Sequence, residues 1–196
     1  DKHPAEWEML PDIGLYMDQV QTYIDRQLGL YRRDEQDRLL SPAMINNYIK
    51  DNLIPRAEVK KYTPTHLALL VIIGTLKQVL SIPNLANLLS TCRDTDDVRI
   101  LYGNYRDCQR KSLENIVLQV RDDMADLQIS CPEEGSDINS ALRRLALELS
   151  IEARTRILIS EKILSLLAAP LKVPDDLPEK KKDKDKAKKP ENEKAQ

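Results

Sequence analysis

The side chains best suited to chemistry in this sequence are polar and basic groups of the kind that contact nucleic acids. They lie between Leu39 and Leu89, where a short predicted helix precedes a lysine-bearing turn. The predicted start of that helix, at Ser41-Pro42, would offer unpaired backbone N–H groups to a phosphate. Asparagine can form two hydrogen bonds with adenine, and lysine can reach guanine or phosphate. The candidate DNA-binding residues are Ser41, Asn46, Asn47, Tyr48, Lys50, Arg56, Lys60, Lys61 and Tyr62.

The charge of this segment differs from that of the rest of the chain. From Arg38 to Thr91 there are six Lys and Arg residues and two acidic residues, which gives a net charge of +4. The whole chain carries 30 Lys and Arg residues and 32 acidic residues, a net charge of −2. A local excess of positive charge in an otherwise acidic protein favours a polyanionic partner.

Each candidate also has a plainer interpretation. Tyr48 would serve equally well as a core residue with its hydroxyl at the surface, and Tyr62 is expected to pack beneath the turn rather than to touch DNA. Adjacent asparagines weaken a helix, so Asn46 and Asn47 are the stronger candidates, although simple solvation would also explain them. Of the two adjacent lysines in the turn, we expect one to contact phosphate and the other to be solvated.

Groups that could perform catalysis are scarce. The chain has two histidines, His3 near the N-terminus and His66 in the first turn of a predicted helix. A lone histidine is more often a packing or surface residue than a catalyst or ligand. The sequence has no Gly-rich phosphate loop, zinc-protease motif or nucleophile elbow. We therefore expect no catalytic residue, no metal site, no cofactor and no enzymatic activity.

The cysteines and the hydropathy suggest a location for the protein. Cys92, Cys108 and Cys131 lack CxxC spacing, so we expect buried, reduced thiols rather than a zinc site. If exposed, Cys92 would have a lowered pKa beside Arg93. The longest run without a charged residue, Tyr62 to Leu76, has 15 residues. A membrane-spanning helix needs roughly 18, so a cytoplasmic protein with no membrane contact is predicted.

Hydrophobic spacing and helix-start signals predict an all-α, mainly helical protein. Apolar residues recur at three- and four-residue steps from Pro11 to Leu28, which predicts an amphipathic helix. Ser41-Pro42 and Thr63-Pro64 each place a capping side chain before a proline, and Ser81 does the same ahead of Pro83. These signals predict helices from Ala43 to about Asp51, from Thr63-Pro64 to about Leu80, and from Ile82 to Leu89.

The connection after the short helix has turn chemistry. Asn52 suits a left-handed residue that ends a helix, and Pro55 prevents the helix from continuing. The stretch from Ile54 to Tyr62 contains proline, valine and two lysines. It predicts a small hairpin or an extended loop.

Two long helices are predicted in the second half of the chain. The first would begin near Tyr105, because Gly103-Asn104 argues against an unbroken helix from Asp96. After a break at Pro132 to Asp137, the second would run from Ser136 to Ala168, roughly 50 Å. Its broad apolar face favours a buried bundle helix over a two-stranded coiled coil, although a dimer interface would have the same pattern.

Three parts are expected along the chain. Residues 10–91 are predicted to be a winged helix-turn-helix domain that includes the N-terminal helix and a small β-wing. Residues 94–170 are predicted to be a helical dimerisation or effector region. The tail, 175–196, holds eight lysines and seven acidic residues, so a disordered, solvated tail is expected there.

Several short motifs resemble the bacterial family called domain of unknown function 1836. They are Leu40-Ser-Pro-Ala-Met-Ile-Asn-Asn-Tyr-Ile-Lys, Leu53-Ile-Pro, Lys60-Lys-Tyr and Leu76-Lys-Gln-Val-Leu-Ser-Ile, with Leu10-Pro-Asp-Ile and Tyr16-Met-Asp-Gln-Val upstream. That family is itself regarded as related to MerR-type DNA-binding domains. The resemblance covers about Leu10 to Leu89, and it implies a MerR-like winged helix-turn-helix.

The MerR-like pattern implies roles for individual residues. Tyr48 would occupy the tyrosine position of the recognition helix, and Asn52-Leu53-Ile54 would replace a Gly-Leu-Ile turn. The run from Lys60 to Tyr62 would be the basic wing and its closing tyrosine. Asn46 stands where MerR proteins usually carry arginine, and the connection before Ser41 is longer and more charged than in those proteins.

The residues and the resemblance together lead to one expected function. We expect a cytoplasmic transcriptional regulator that binds duplex DNA as a homodimer, since MerR-type proteins bind as dimers. An unknown effector or protein partner could bind the helical region. The alternative is a protein–protein interaction module built on a winged-helix scaffold, without DNA binding. An enzyme ranks third, because no residue can be nominated for its chemistry.

Overall fold

The computed structural model describes residues 3–32, 34, 38–130 and 138–168. Within these residues the chain is helical, and the predicted all-α class is confirmed. The helices are α1 (Met17–Gln27), α2 (Pro42–Lys50), α3 (Pro64–Leu76), α4 (Ile82–Leu89), α5 (Thr95–Ser130) and α6 (Ile138–Ala168), with 3₁₀ turns at Trp7–Met9 and Gly29–Tyr31. The predicted break at 132–137, Cys131 and the tail at 175–196 lie outside the described residues.

Helix α3 forms the centre of the core because its sequence has no polar face. Every residue from His66 to Gly74 is buried. Helices α1 and α5 both pack against α3. Gly74 permits the close approach of α1, since a Cβ at this position would collide with Leu28 Cδ1. Leu28 is itself fully buried and has no room to move. The helix ends at Leu76, four residues before the predicted end.

Helix α2 begins where its capping signal predicts. The Ser41 hydroxyl accepts a hydrogen bond from the Met44 backbone N–H at 3.3 Å, and Pro42 is the first helical residue. The Ser41 cap satisfies one of the N–H groups that a helix start leaves without a partner. Ile45 and Tyr48 are buried, so one face of this nine-residue helix packs on the core and the other faces solvent.

The end of α2 follows the predicted turn chemistry. Asn52 has a φ of 55°, the left-handed conformation expected of it. The Leu53 N–H donates to the Tyr48 carbonyl at 2.9 Å, and the Asn52 N–H donates to the Ile49 carbonyl at 3.2 Å. These two bonds form a Schellman motif, and both Leu53 and Tyr48 are buried. The chain therefore leaves α2 along a well-determined path.

The prediction of a helix from Pro11 is wrong. Helix α1 begins at Met17, and the preceding segment is not helical. Leu15 exchanges two backbone hydrogen bonds with Tyr62, both at 2.9 Å, in an antiparallel bridge. This long-range pairing uses the backbone groups that a helix would need, while Ile13 remains 69% exposed. The apolar spacing continues through the segment, but tertiary contacts decide its conformation.

The stretch between α2 and α3 forms a turn with a single bridge, from Glu58 to Lys61. Of the two predicted forms, a small hairpin or an extended loop, it is closer to a hairpin, with one bridging pair on either side of two turn residues. Together with the Leu15–Tyr62 pair, this bridge accounts for the β pairing that the structure shows among its described residues. An extended β-wing is not confirmed.

The predicted start of the first long helix near Tyr105 is wrong. Helix α5 runs from Thr95 through Gly103 without interruption. A glycine inside a helix costs about 1 kcal/mol relative to alanine. Val98 and Tyr102, on the two helical turns before Gly103, are buried in the core. Their burial offsets the cost of the glycine.

The N-terminal segment is tied to α5 by specific hydrogen bonds. The Tyr102 hydroxyl donates to the Ala5 carbonyl at 2.9 Å, and Arg106 Nε donates to the Pro4 carbonyl at 3.1 Å. Trp7 packs edge-on against the Tyr102 ring, with centroids 6.2 Å apart. The folded unit therefore begins before position 10, which is the predicted start of the first domain.

Helices α5 and α6 extend from this body as a long pair. The 36 residues of α5 span roughly 54 Å at 1.5 Å per residue. Helix α6 packs against α4 as well as α5, and its Leu164 is buried. The predicted second long helix is confirmed over 138–168. None of the described helices combines the length and apolarity required to cross a membrane.

Candidate nucleic-acid interface

The outer face of α2 carries three of the candidate residues. Asn46, Asn47 and Lys50 are exposed. They occupy the side of the helix opposite Ile45 and Tyr48, which are buried. Since the Ser41 cap and the Schellman motif hold both ends of the helix, these three polar side chains project from a rigid element.

A groove of about 530 Å³ lies between α2, the Glu58–Lys61 turn and the start of α1. Its lining brings together four candidates that are distant in sequence, Asn46, Arg56, Lys60 and Tyr62. Its floor is apolar, because Met17 and Ile49 contribute to it. Ser41, Asn47, Tyr48, Lys50 and Lys61 lie outside this groove.

The turn beside the groove holds two residues in an unusual backbone conformation. Val59 has a φ of 48° and Lys60 a φ of 60°. The Lys61 N–H donates to the Glu58 carbonyl at 2.8 Å and closes the turn. Positive φ at both central residues is the pattern of a two-residue hairpin turn, which ordinarily uses asparagine or glycine. A β-branched residue there is strained, and the Val59 side chain is 88% exposed.

The two adjacent lysines of the turn have different surroundings. The stem of Lys61 lies against Gly14, where a Cβ would come within 2.8 Å of Lys61 Cβ. Its Nζ lies 6.0 Å from the centre of the Tyr16 ring, at the outer limit of a cation–π contact. Lys60 is exposed at the tip of the turn. One lysine is held along the body, and the other projects.

The two candidate tyrosines are packed into the core. Tyr48 and Tyr62 are each 4% exposed, and burial raises the pKa of both phenols above the ordinary value. Tyr62 lies beneath the turn, with its ring edge-on to His66 at a centroid distance of 5.4 Å. In this position both tyrosines support the surface elements rather than form their outer surface.

His66 connects the base of the turn to the start of α3. Its Nδ1 accepts a hydrogen bond from the Thr63 N–H at 3.1 Å and lies 2.8 Å from Thr63 Oγ1. Burial lowers the pKa of His66, and the carbonyl groups of Arg56 and Pro55 together with Glu58 oppose that effect. The sequence predicts a packing role for this lone histidine. Its hydrogen bond to Thr63 at the start of α3, and its position beneath the turn, depend on the tertiary structure.

A second groove, of about 660 Å³, lies on the other side of the C-terminal end of α2. Lys50 and Arg56 line it together with Arg93, from the connection between α4 and α5. Arg56 thus borders both grooves. Arg93 lies beyond the basic segment identified in the sequence, and no local pattern marks it, because the fold alone brings it near Lys50.

The candidate cations are free of ion pairs among the residues that the structure describes. Lys50, Arg56, Lys60 and Lys61 are all exposed, while the observed ion pairs lie in α5, α6 and the N-terminal segment. The side of the body that carries α2 and the turn therefore presents four cations without close ion pairs to solvent, together with the exposed carboxylates Asp18, Asp51 and Glu58.

The cysteines differ from the sequence-based expectation. Cys92 is half-buried, and burial together with Asp97 raises its pKa. A lowered pKa was expected only for an exposed Cys92, and this condition is not met. Cys108 is exposed rather than buried, and both thiols are free. Within 3–32, 34, 38–130 and 138–168, no group of three or more His, Cys, Asp or Glu side chains could hold a metal ion.

Comparison with known proteins identifies a family. The sequence model of a domain of unknown function, DUF1836, matches residues 5–106. No curated protein and no solved structure matches the chain. The match begins in the segment that Tyr102 and Arg106 hold against α5, and it ends at Arg106, so it covers the body described above. The chain belongs to the DUF1836 family.

Proposed function

We propose that this protein is a DNA-binding transcriptional regulator, with a MerR-like winged helix-turn-helix that binds duplex DNA as a homodimer. The observation that carries the proposal is the exposed ridge formed by the outer face of α2 and the neighbouring turn. On this ridge Asn46 and Lys60 line one groove, and Asn47, Lys50 and Lys61 are exposed on the same two elements.

The shape of the ridge supports contact with a groove of DNA. A short helix that projects from a protein surface can enter the major groove, where asparagine and lysine can read base edges. The turn that carries Lys60 would then contact the adjacent phosphates, which position a protein on DNA without reading its sequence. The left-handed Asn52 and the buried Leu53 fit the role that the MerR-like pattern implies for the turn after the recognition helix.

The charge of the ridge supports a polyanionic partner. Four cations, Lys50, Arg56, Lys60 and Lys61, are exposed and lack ion pairs within the described part of the chain. Each cation that contacts a phosphate releases a counterion and contributes about −0.9 to the slope of log K against log salt concentration. Two copies of the module would therefore give a slope near −7.

The outer face of α6 supports the dimer. Leu147, Ile151 and Leu158 are separated by four and seven residues, share one side of the helix, and are 49% to 59% exposed. Four further large apolar residues of α6 are also more than half exposed, on adjoining sides of the helix. We assign this face to a second copy of the chain. The four further residues are Ile159, Ile163, Leu166 and Leu167.

The proposal is tested by DNA binding at several salt concentrations. Fluorescently labelled genomic fragments are titrated with the full chain, and anisotropy gives the affinity. We expect a slope near −7 for the unaltered protein. The double variant Lys60→Glu/Lys61→Glu should bind at least about 100-fold more weakly and reduce the slope by about 2 to 4, since each dimer loses two to four phosphate contacts.

A matched variant separates local contact from overall charge. Lys111→Glu/Arg121→Glu makes the same charge change on α5, where both residues are exposed, and should retain most of the affinity. Equal loss in both double variants, or no retention of genomic fragments by the unaltered protein, would contradict DNA binding. Capture of a protein partner that depends on Lys60 and Lys61, without DNA retention, would instead favour an interaction module.

A further inference from the structure

Three cations line the groove of about 660 Å³ at the C-terminal end of α2. Lys50 comes from the last turn of α2, Arg56 from the segment that follows it, and Arg93 from the connection between α4 and α5. All three are exposed, and none has an ion pair within 3–32, 34, 38–130 and 138–168. Asp94 is the carboxylate in the lining, so the charged groups of the groove give a net charge of +2.

The carboxylates next to Arg93 are engaged by backbone groups at the start of α5. Asp94 Oδ1 accepts a hydrogen bond from the Asp97 N–H at 3.0 Å, and Asp97 Oδ2 accepts one from the Arg93 N–H at 2.9 Å. Both carboxylates lie at the positive end of the helix, which offsets part of their charge. The Arg93 backbone is thus held in place, while its side chain faces solvent without an ion pair in the described part of the chain.

Two hydroxyl groups add hydrogen-bonding capacity to the same groove. Thr65 Oγ1 donates to Thr95 Oγ1 at 3.3 Å, and both residues line the groove. The Thr95 hydroxyl keeps its own proton for a further acceptor. Arginine, lysine and threonine side chains are among the groups that bind phosphate oxygens in protein–DNA complexes. The lining therefore matches a phosphate-bearing occupant.

The end of α2 lies between this groove and the groove beside the turn. Ile49 and Arg56 line both of them. The turn that carries Lys60 contributes to one groove, and the connection that carries Arg93 contributes to the other. The major groove of DNA is about 12 Å wide and is bordered by two phosphate strands. A helix inserted into it therefore has one strand on either side.

We propose that the groove at Arg93 binds the second phosphate strand of the duplex, while the turn contacts the first. Arg93 contributes two phosphate contacts per dimer beyond those counted for the ridge. A strand is favoured over a free phosphorylated small molecule because the groove is continuous with the ridge through Ile49 and Arg56. The inference rests on the proposed function, since it requires a bound duplex.

The contact is measured by fluorescence anisotropy of several labelled duplexes of different sequence, at a series of salt concentrations. Arg93→Gln in the full chain should weaken binding about 10- to 100-fold at about 0.1 M salt and reduce the slope of log K against log salt concentration by about 2. The loss should be similar for every duplex, because a phosphate contact carries no sequence information. Arg93→Lys retains the charge and should restore the slope.

A matched variant and a stability measurement serve as controls. Arg121→Gln removes the same charge from an exposed position on α5 and should keep the slope and most of the affinity. Every Arg93 variant retains the backbone N–H that bonds to Asp97, so the melting temperature should not change. A lower melting temperature in Arg93→Gln would assign its effect to folding and overturn the contact.

The outcomes separate this inference from the proposed function. If the unaltered chain binds with a steep slope and Arg93→Gln behaves like Arg121→Gln, the second-strand contact is wrong and DNA binding stands. If only some duplexes lose affinity, Arg93 contacts a base instead of a phosphate, which also overturns the inference. An absence of salt-dependent binding by the unaltered chain would overturn both.

Discussion

The body of the protein and its long helical pair place their apolar side chains in opposite ways. In the body, α3 is buried along nine consecutive residues, His66 to Gly74, and the surface elements α2 and the turn expose polar and basic groups. In α6, seven large apolar side chains remain about half exposed or more. Both regions are helical, but only the body encloses a continuous apolar core.

This difference is the reason that the proposed dimer contact is placed on α6. In a pair of helices, each helix covers only the face of its partner that is turned toward it. Apolar side chains on the outer face of either helix therefore stay in contact with water. Exposed apolar side chains that share one face of a helix, as Leu147, Ile151 and Leu158 do, can mark an interaction site. The body buries a continuous core, whereas in the proposed dimer a second copy would cover the exposed apolar side chains of α6.

The largest expected effect comes from the outer face of α6. Leu147→Gln/Ile151→Gln should leave the unfolding of the isolated chain nearly unchanged and raise the dimer dissociation constant at least about 100-fold. Each half-exposed apolar side chain contributes about 1.5 kcal/mol when buried, and each change occurs twice in a symmetric dimer. Sedimentation equilibrium measures the dissociation constant.

The matched control makes the same kind of change in the body. Met9 and Ile13 are 73% and 69% exposed, so Met9→Gln/Ile13→Gln removes equally exposed apolar groups away from α6. This variant should dimerise normally. Equal weakening by the two double variants, or a protein that is monomeric at all concentrations, would contradict the proposed interface.

An intermediate effect is expected from pH in the body. Burial lowers the pKa of His66 below the unfolded value of 6.5, so the unfolded chain binds a proton more readily than the folded one. The stability associated with neutral His66 is complete above pH 6.5 and decreases as the pH falls toward the lower folded pKa. His66→Asn retains an acceptor for the Thr63 N–H and should reduce this loss.

Urea unfolding at about pH 7.5 and about pH 5 measures the change, with carboxylates contributing equally in both proteins. His3→Asn is the control, because His3 is exposed and its replacement should leave the pH dependence as it is. If His66→Asn and the unaltered chain lose the same free energy of unfolding between the two pH values, His66 does not contribute to the pH dependence of stability.

The smallest effect is expected at the tip of the turn. Val59 adopts a positive φ that asparagine tolerates far better than a β-branched residue. Val59→Asn should raise the free energy of unfolding by about 0.5–1 kcal/mol and leave α6 and dimerisation unaffected. Thermal unfolding measures this gain. Val79→Asn, which alters an exposed valine whose φ is not positive, should not stabilise the protein.

The features that the sequence predicted correctly depend on local interactions. Ser41, Thr63 and Ser81 each precede a helix that begins at the next residue, because a side-chain cap acts within one turn of the chain. Asn52 adopts the predicted left-handed conformation for the same local reason. The exposed side of α2 also followed from spacing, since residues three and four apart share a face.

The features that the sequence predicted wrongly or missed depend on contacts between distant segments. Residues 11–16 retain helical spacing, yet Leu15 pairs with Tyr62. Helix α5 continues through Gly103 because Val98 and Tyr102 are buried against other elements. The approach of Arg93 to Lys50 arises only when segments far apart in the chain are packed together.

By itself, the amino-acid sequence determined the helical class, the starts of three helices, the stop at Asn52 and the basic character of the segment around α2. Each of these depends on a residue and its neighbours within about one helical turn, or simply on composition. The tertiary structure alone decided where α1 and α5 begin, that Leu15 pairs with Tyr62, and that α3, α5 and α6 line one groove. Those outcomes depend on which apolar surfaces meet, and burial acts between residues at any separation along the chain.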